Sequence, residues 1–312
     1  MTTDSLPKSL MIFGCGYVGT ALAAHCIAAG VRVGALTRNP EKAERLRGMG
    51  VAEVVVADLH SSAWHEQLSG DYEAVVNCVS SAGGGLEGYR QSYLEGQASI
   101  LKWAEGRSIS CYVYTSSTSV YPQDGGVSID ELADTSGAPE TGKVILESEQ
   151  LIADAAADLG RWYVLRLAGI YGPKRHYLLD QLRDGGTTIA GSGDYTLNLA
   201  HLEDIVSALC AALSTESAPS GIYNIADDAP SSKAALVEWL AGELQMSVPV
   251  FDPDNVSSRV ARRGGRMPDR KILNTKAKAL LGWAPKYSDF REGYRAILSS
   301  HEKAGTRDAN SG

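Results

Sequence analysis

Apolar stretches alternate with helix-forming stretches along the first 226 residues of the chain. Seven apolar stretches predict β-strands, at Leu10–Phe13, Val31–Leu36, Val54–Ala57, Glu73–Val79, Ser110–Thr115, Trp162–Leu167 and Gly221–Ile225. Helices are predicted at 20–29, 89–105 and 140–159, and Gly30 suits the position that follows the first helix. Because continuously apolar strands need cover on both faces, this alternation predicts an α/β fold with a mainly parallel, seven-stranded sheet.

The alternation stops near residue 170. Residues 171–196 are rich in glycine and polar groups, and 227–302 carry helices and proline-containing loops. We therefore predict a nucleotide-binding domain over 1–170, to which 197–226 returns, and a smaller substrate lobe formed by the two later segments. Residues 303–312 are mostly small and polar and predict a flexible tail.

Composition and charge narrow the class of protein. Hydrophobic residues make up 44% of the 312-residue chain and charged residues 21%, which is typical of a globular protein. The net charge of −8 argues against a nucleic-acid-binding surface, which needs clustered Lys and Arg. The longest basic cluster, Arg262, Arg263 and Arg266, could hold a substrate phosphate, although a solvated loop is the favoured interpretation.

Neither a targeting segment nor a metal site is evident. Residues 1–8 do not resemble a signal peptide, and no apolar run approaches the ~20 residues of a membrane span. The five cysteines, Cys15, Cys26, Cys78, Cys111 and Cys210, lack metal-ligand spacing and mostly lie in apolar surroundings. We therefore expect a cytoplasmic protein with reduced thiols, without metal, membrane or nucleic-acid partners.

The segment Gly14-Cys15-Gly16-Tyr17-Val18-Gly19 follows the first strand and opens the first helix. In this context the three glycines predict a dinucleotide site. The first permits a tight turn, the second lets the main chain approach a pyrophosphate, and the third lets the helix pack closely. The helix N-terminus offers free N–H groups to the phosphates.

The end of the second strand predicts which nucleotide binds. An NAD site usually has Asp or Glu there, which holds both ribose hydroxyls. This chain has Thr37 and Arg38 instead. Arg38 could pair with the 2′-phosphate of NADP, or it could be a surface residue at a strand end. The sequence therefore favours NADP over NAD.

Several further segments resemble the motifs of the extended short-chain dehydrogenase/reductases, the sugar-nucleotide epimerase/dehydratase group. They are residues 114–122 (YTSSTSVYP), 165–173 (LRLAGIYGP), 201–204 (HLED), 223–225 (YNI) and 281–285 (LGWAP), and their order holds over nearly the whole chain. The resemblance implies a doubly wound Rossmann fold. It also implies further cofactor contacts from Asp58 and Leu59 at the adenine, from Cys78, Val79, Ser80 and Ser116, and from Ala168, Gly169, Ile170 and Tyr171 near the nicotinamide.

The chain departs from this family where the family has a catalytic Tyr and, four residues later, a Lys. Thr141 and Ile145 take these two places. A Thr hydroxyl is too weak an acid to replace the Tyr, and Ile offers no charge. Lys143 is offset by two positions and should point away from that helix face. The chain thus resembles the atypical branch of the superfamily, which lacks the dyad.

Two other groups are the candidates for catalysis. Ser117 matches the family's catalytic Ser, although a hydroxyl there could instead cap the strand end. Tyr121 and Tyr171 follow strand ends, where ligands bind, and Tyr121 is the favoured proton donor. Tyr114 is expected in the core. Tyr195, His176 and His201 are weaker candidates.

Two functions remain in competition. One is an NADP-dependent oxidoreductase that acts on a small or sugar-type molecule with a non-standard acid/base. The alternative is a non-catalytic protein that senses NADP(H). By resemblance, the helices near 89–105 and 140–159 are expected to pair with those of a second copy in a homodimer.

Overall fold

A seven-stranded parallel sheet forms the centre of the computed structural model, which describes residues 6–81, 83–255 and 267–309. Its strands are β1 Ser9–Phe13, β2 Arg32–Thr37, β3 Glu53–Val56, β4 Ala74–Asn77, β5 Cys111–Ser117, β6 Arg161–Leu167 and β7 Gly221–Ile225. Their order is β7-β6-β5-β4-β1-β2-β3, and every neighbouring pair is parallel. The strand order reverses between β1 and β4, and doubly wound sheets bind ligands at the carboxyl ends of such strands. The predicted fold class is confirmed.

Ten α-helices accompany the strands in the described residues. They are α1 Tyr17–Ala28, α2 Pro40–Gly48, α3 Gly85–Tyr89, α4 Gly96–Ala104, α5 Glu140–Asp154, α6 Tyr177–Arg183, α7 Leu202–Ser214, α8 Lys233–Glu243, α9 Thr275–Leu280 and α10 Phe290–Ala309. A π-helical turn, Arg90–Glu95, joins α3 to α4, and 3₁₀ turns occupy His65–Gln67, Thr118–Val120 and Ala156–Asp158. The predicted helix at 140–159 is thus α5 followed by a 3₁₀ turn.

The sheet is buried on both faces because alternate side chains of each strand point to opposite sides. Leu10 and Ile12 of β1 belong to a core cluster that also contains Leu22 of α1 and Leu209 of α7. Met11 and Phe13, the intervening residues, belong to a second cluster with side chains of α4 and α5. In that cluster Phe13 contacts Trp64 and Trp103, with ring centroids 5.1 and 5.5 Å away.

A third core cluster lies in the second lobe, where α6, α8 and α10 contribute Leu179, Leu240 and Phe290. Four short strand pairs lie outside the central sheet: Gly169–Tyr171 with Leu199–His201, Thr188–Ala190 with Val250–Asp252, Thr196–Leu197 with Ser231–Ser232, and Val127–Ile129 with Arg270–Ile272. The expected tail, 303–312, begins inside α10, and its last residues, 310–312, lie outside the described residues. The basic cluster at 262–266 also lies outside them.

The five cysteines all belong to the described residues. All five are free thiols, and Cys210 alone among them is not fully buried. Within the described ranges no group of three or more His, Cys, Asp or Glu side chains could hold a metal ion. None of the helices in those ranges is both long and apolar enough to cross a membrane.

Candidate functional site

The glycine turn, Gly14–Gly19, has the shape that a pyrophosphate site requires. Gly14 adopts φ +86°, and a Cβ on it would lie 2.6 Å from the main-chain nitrogen of Val79. A Cβ on Gly19 would lie 2.4 Å from the carbonyl oxygen of Gly14. Neither position accepts a larger residue without movement of the main chain. For Gly16, by contrast, no atom of the described residues lies within 4 Å of that point, which leaves room for phosphate oxygens.

The N-terminus of α1 is open to an anion. Gly16 precedes the helix, no side chain of the described residues caps it, and the first turn carries no acidic residue. The main-chain N–H groups of Tyr17 and Val18 are therefore available to phosphate oxygens, and the helix dipole favours negative charge there. The Tyr17 side chain turns away, because its hydroxyl donates to the carbonyl oxygen of Pro173 at 2.8 Å.

The end of β2 carries no carboxylate. The Thr37 hydroxyl accepts a hydrogen bond from Asn39 N at 3.3 Å, and Asn39 in turn caps α2 by accepting from Lys42 N at 2.9 Å. The guanidinium of Arg38 lies 3.9 Å from the carboxylate of Asp58, and both side chains are more than half exposed. Hydrogen bonds therefore hold the main chain at the end of β2, while the guanidinium of Arg38 remains accessible to a ligand.

The segment after β3 forms the next wall of the crevice. Leu59 is 6% exposed, and its carbonyl oxygen accepts a hydrogen bond from Trp64 Nε1 at 3.1 Å. Its neighbour Asp58 is exposed. Leu59 thus presents a fixed main chain, and Asp58 an exposed carboxylate paired with Arg38, where the resemblance leads us to expect the adenosine end of the cofactor.

The end of β4 meets the glycine turn directly. Val79 lies against Gly14, and its N–H donates to Asn77 Oδ1 at 3.0 Å. Burial raises the pKa of the Cys78 thiol far above its ordinary value, so Cys78 is a small apolar wall and not a nucleophile. Ser80, one residue further, is exposed. The structure therefore brings the main chain of Cys78 and Val79 against the glycine turn, with Ser80 exposed immediately after them.

Ser116, at the end of β5, faces the core. Its hydroxyl donates to Glu149 of α5, and Glu149 also forms a salt bridge with Arg166 of β6 at 2.6 Å. The side chains of Glu149 and Arg166 are 5% and 3% exposed. A buried ion pair of this kind needs its remaining oxygens satisfied, and the Ser116 hydroxyl does so. The Ser116 hydroxyl is therefore engaged in the core, and the expected contact of Ser116 with the cofactor would have to come from its main chain.

Ser117, the next residue, is the better-placed hydroxyl. It is only partly buried, and its Oγ accepts a hydrogen bond from Ser119 N at 3.1 Å, which caps the 3₁₀ turn Thr118–Val120. In the described residues no acceptor takes its hydroxyl hydrogen. The capping interpretation of Ser117 is therefore confirmed, and its catalytic role stays a prediction, for which the cap leaves the hydroxyl hydrogen available.

Tyr121 does not lie in the crevice. It is 1% exposed, its hydroxyl donates to Asn224 Oδ1 at 2.8 Å, and the guanidinium of Arg166 lies 4.9 Å from its ring centroid. Burial raises the pKa of this phenol. The expectation that Tyr121 exchanges a proton with a substrate is wrong, because its hydroxyl joins the segment after β5 to Asn224 of β7 inside the protein.

Thr141 and Ile145, the residues of α5 at the two dyad positions, offer no side chain that could act as an acid or base near neutral pH. Ile145, in the place of the Lys, is 2% exposed and packs in the core. Lys143 points to solvent with a half-exposed side chain and forms a salt bridge with Glu140 at 2.6 Å. Thr141 is partly buried. The structure thus places Lys143 off the core-facing side of α5, as its offset in the sequence predicts.

The segment Ala168–Tyr171 is fixed by its main chain. Ala168 N donates to Ile225 O at 2.9 Å, and Gly169 N donates to Asn198 O at 2.8 Å. Ile170 is half-buried. Tyr171 is 3% exposed and stacks on Tyr294 with ring centroids 5.1 Å apart. Ala168, Gly169 and Ile170 therefore remain candidates for the nicotinamide end, whereas the Tyr171 phenol is enclosed against Tyr294.

A buried acid that the sequence analysis missed follows β7. Asp227 is 5% exposed, and its Oδ1 has no hydrogen-bond partner in the described residues. Burial, reinforced by the charges of Asp289, Asp228 and Asp204, raises its pKa to about 8. Two consecutive acidic residues, Asp227 and Asp228, directly after an apolar strand are the feature of the sequence that could have indicated this buried acid. His201 is also buried, and burial lowers its pKa to about 4, so it is neutral and enclosed.

Known proteins share both the sequence motifs and this fold. The model of the NAD dependent epimerase/dehydratase family matches residues 10–226. Protein YeeZ of Escherichia coli (strain K12) is 28% identical over 255 residues, which cover 78% of this chain and 86% of YeeZ. A 4-hydroxy-2-methyl-3-oxo-4-farnesyl-3,4-dihydroquinoline-1-oxide ketoreductase of Stigmatella aurantiaca is 25% identical over 233 residues, 72% of this chain and 69% of that protein.

The structure is also similar to that of MoeE5 in complex with UDP-glucuronic acid and NAD. The two superpose with a TM-score of 0.78 at 20% sequence identity, over 95% of this chain and 99% of that one. At this identity the likeness shows a shared fold. It extends through the second lobe, beyond the residues that the family model matches.

Proposed function

The chain belongs to the NAD dependent epimerase/dehydratase family, and we propose that it is an NADP-dependent oxidoreductase acting on a small or sugar-type substrate. The observation that carries this proposal is the glycine turn. Gly14 and Gly19 have no room for a side chain, while the space at Gly16 beside the uncapped N-terminus of α1 is open. A turn with only a structural role does not need both the tight packing at Gly14 and Gly19 and the open space at Gly16. A bound pyrophosphate needs both.

The end of β2 supports NADP as the nucleotide. An acidic residue there would repel a 2′-phosphate, and this position holds Arg38. Its guanidinium is accessible and Asp58 keeps it beside the adenosine wall. A charge-assisted hydrogen bond from Arg38 to the 2′-phosphate follows from this placement. MoeE5 is described in complex with NAD, so the proposed preference for NADP rests on the residues of this chain and not on that structure.

Carbonyl reduction is the reaction that the site supports best. When bound, the cofactor supplies the hydride. Ser117 holds a hydroxyl hydrogen at the carboxyl end of β5, where it can bond to a substrate oxygen and fix the carbonyl. The Stigmatella aurantiaca relative is named as a ketoreductase, which agrees with this reaction class.

One observation favours the alternative, a protein that binds NADP(H) without turnover. Ile145 is buried and Lys143 is engaged at the surface with Glu140, so α5 contributes no proton donor. The retained Ser117 and the complete second lobe favour an enzyme. Turnover of any substrate decides between the two functions.

Binding of NADPH to the purified protein tests the proposal first. We expect saturable binding by fluorescence titration, and a loss of at least about tenfold in affinity in Gly16→Ala, whose methyl group would enter the phosphate space. Gly48→Ala is the matched control, because its Cβ also meets no atom within 4 Å but lies on α2. Absence of NADPH and NADH binding in the wild type would refute the proposal.

A screen of NADPH oxidation with ketones, aldehydes, imines and sugar nucleotides then addresses catalysis. We expect turnover of at least one carbonyl compound. Tight NADPH binding without turnover of any compound would support the sensor instead.

A further inference from the structure

A tight hairpin of residues 172–175 lies at the start of the second lobe. Gly172 N donates to Arg175 O at 3.2 Å, and Arg175 N donates to Gly172 O at 3.0 Å. Pro173 and Lys174 form the bend between them, and both are exposed, as is Arg175. The 172–175 hairpin therefore presents two adjacent cationic side chains, Lys174 and Arg175, at the surface.

The bend of the 172–175 hairpin is strained at Lys174. A turn with Pro at its second position and positive φ at its third usually has Gly or Asn at the third. Lys174 stands at that third position with φ +63°, a left-handed conformation that favours glycine. Residues held in such conformations cluster at ligand-binding sites. The strain at Lys174 is therefore a first indication that this hairpin has a role beyond connecting two elements.

The hairpin packs on the glycine turn through Tyr17, the first residue of α1. The Tyr17 hydroxyl donates to Pro173 O at 2.8 Å, and the guanidinium of Arg175 lies 5.4 Å from the centroid of the Tyr17 ring. A Cβ on Gly172 would lie 2.8 Å from the Tyr17 hydroxyl and 3.0 Å from Leu202 Cβ. The base of the hairpin is thus closely packed, and its contacts with Tyr17 fix its position relative to the glycine turn.

The two cations of the hairpin are available to a ligand. In the part of the chain that the structure describes, neither Lys174 nor Arg175 forms an ion pair. Arg38, at the expected adenosine end, by contrast has Asp58 at 3.9 Å. Because the whole chain carries a net charge of −8, an anionic ligand is attracted only where positive charge is locally in excess.

Tyr17 also belongs to the expected phosphate site. Its main-chain N–H is one of the groups at the uncapped N-terminus of α1, beside the open space at Gly16. Since the ring and this N–H belong to one residue, the Arg175 guanidinium stands within about 10 Å of the N–H, roughly the Debye length at 0.1 M salt. The arginine side chain is long and exposed, so rotation about its bonds can carry the guanidinium onto a phosphate oxygen.

The glycine turn by itself leaves part of the charge of a pyrophosphate uncompensated. The pyrophosphate of a dinucleotide is doubly charged, whereas a helix N-terminus offers the equivalent of about half a positive charge. Residues 14–19 contain no basic side chain, and Arg38 is assigned to the 2′-phosphate. Arg175, in contact with Tyr17, is the cation that can supply the remaining charge.

We propose that the 172–175 hairpin is an anion clamp in which Arg175 binds the pyrophosphate of the dinucleotide, an inference that rests on the proposed function. The pyrophosphate then lies between the main-chain N–H groups of α1 and a guanidinium from the second lobe. The guanidinium presents parallel N–H donors to two phosphate oxygens, which is the geometry that arginine favours. The bound cofactor thereby also holds the second lobe against the nucleotide-binding domain.

Nucleotide affinity measures this role without any substrate. Arg175→Gln should weaken NADPH binding by about tenfold in fluorescence titrations, because it removes a charge-assisted pair. Arg183→Gln removes the same charge from an exposed arginine of α6 in the same lobe and should keep the wild-type affinity. Unchanged NADPH affinity in Arg175→Gln, or an equal loss in Arg183→Gln, overturns the proposal.

Fragments of the cofactor distinguish the pyrophosphate from its other groups. ADP-ribose contains the pyrophosphate, and 2′-AMP does not. Measured by displacement of NADPH, Arg175→Gln should weaken ADP-ribose by the same factor as NADPH and leave 2′-AMP unchanged. A loss for NADPH alone, or an equal loss for 2′-AMP, contradicts the assignment to the pyrophosphate.

Salt provides an independent readout of the same contact. An ion pair at the surface is screened by salt, so NADPH affinity should fall more steeply in the wild type than in Arg175→Gln between about 0.05 and 0.5 M NaCl. Equal salt dependence in the two proteins would show that Arg175 makes no ionic contact with the nucleotide.

An anionic group on the substrate is the competing ligand for Arg175. In that case Arg175→Gln would leave nucleotide affinities unchanged and raise KM for 4-carboxybenzaldehyde but not for benzaldehyde, an outcome that overturns the proposal. A wild-type protein that binds neither NADPH nor ADP-ribose would instead refute the proposed function itself.

Discussion

A single side chain, Arg38, is expected to set the nucleotide preference. Its guanidinium lies 3.9 Å from Asp58 and its side chain is more than half exposed, so it is accessible to a ligand. Because a hydrogen bond to a charged group contributes about 1.5–3 kcal/mol, NADPH should bind roughly tenfold or more tightly than NADH. Arg38→Ala should remove the difference.

Fluorescence titration with both nucleotides measures this preference. Arg45→Ala, an exposed arginine on α2, is the control and should keep the wild-type ratio. Equal affinities for NADPH and NADH in the wild type would contradict the role given to Arg38.

The residues at the lost dyad positions should matter little for turnover. Lys143 is tied to Glu140 at the surface, and Thr141 has no acidic group. Thr141→Val and Lys143→Ala should each reduce NADPH-dependent activity by less than about tenfold, whereas Ser117→Ala should reduce it more. Steady-state kinetics on a substrate found in the screen measures these ratios. Abolished turnover in a folded, NADPH-binding Lys143→Ala would show that α5 has been misaligned with the family.

At the scale of elements, the sequence could predict the features that have a local residue pattern. Each strand of the sheet is an apolar run, and the glycine turn has a recognisable local residue pattern, so both could be predicted. The role of Tyr121 could not, because its partner Asn224 is 103 residues away and only the folded sheet brings them together. The same limit applies to Ser116, whose hydroxyl is used by Glu149, 33 residues further along.

The segment 89–105 shows a second reason why some features could not be predicted from the sequence. The expected helix at 89–105 is interrupted by the π turn Arg90–Glu95, which shifts the side chains after it relative to a regular α-helix. Regular helical periodicity cannot predict that shift. The loop before the helix, with Gly83, Gly84 and Gly85 all at positive φ, has no periodic signal either.

The helices α3, α4 and α5 carry the prediction of a homodimer. Leu86 is 42% exposed, and Tyr89 and Leu146 are only partly buried, which leaves apolar surface on this side of the sheet. We expect a mass of two chains by light scattering at micromolar concentration. Leu86→Glu should shift the protein toward the monomer, because a charge in an apolar contact is costly. A wild-type monomer at these concentrations would contradict the prediction.

At the scale of the whole molecule, the junction between the lobes should make stability depend on pH through Asp227. Its N–H donates to Leu199 O at 2.7 Å, and its carboxyl group faces the charges of Asp289, Asp228 and Asp204. Its pKa is raised from 3.8 to about 8, so the folded state binds a proton that the unfolded state has released. Stability from this group is therefore complete below about pH 4 and is lost as pH rises toward 8.

Between pH 6 and pH 8 the comparison of the wild type with Asp227→Asn isolates Asp227, because Asp204, whose pKa is raised to about 6, and His201, whose pKa is lowered to about 4, are present in both proteins. One such group changes the free energy of unfolding by about 1.4 kcal/mol per pH unit, so Tm should fall by roughly 4 °C across the window. Asp227→Asn keeps the shape of the neutral acid and should hold Tm nearly constant there, with a higher Tm than the wild type at pH 8. Asp184→Asn, on the exposed C-terminal side of α6, is the control and should show the wild-type fall. Parallel Tm curves for the wild type and Asp227→Asn would show that this carboxyl group is ionised in the folded protein throughout the window.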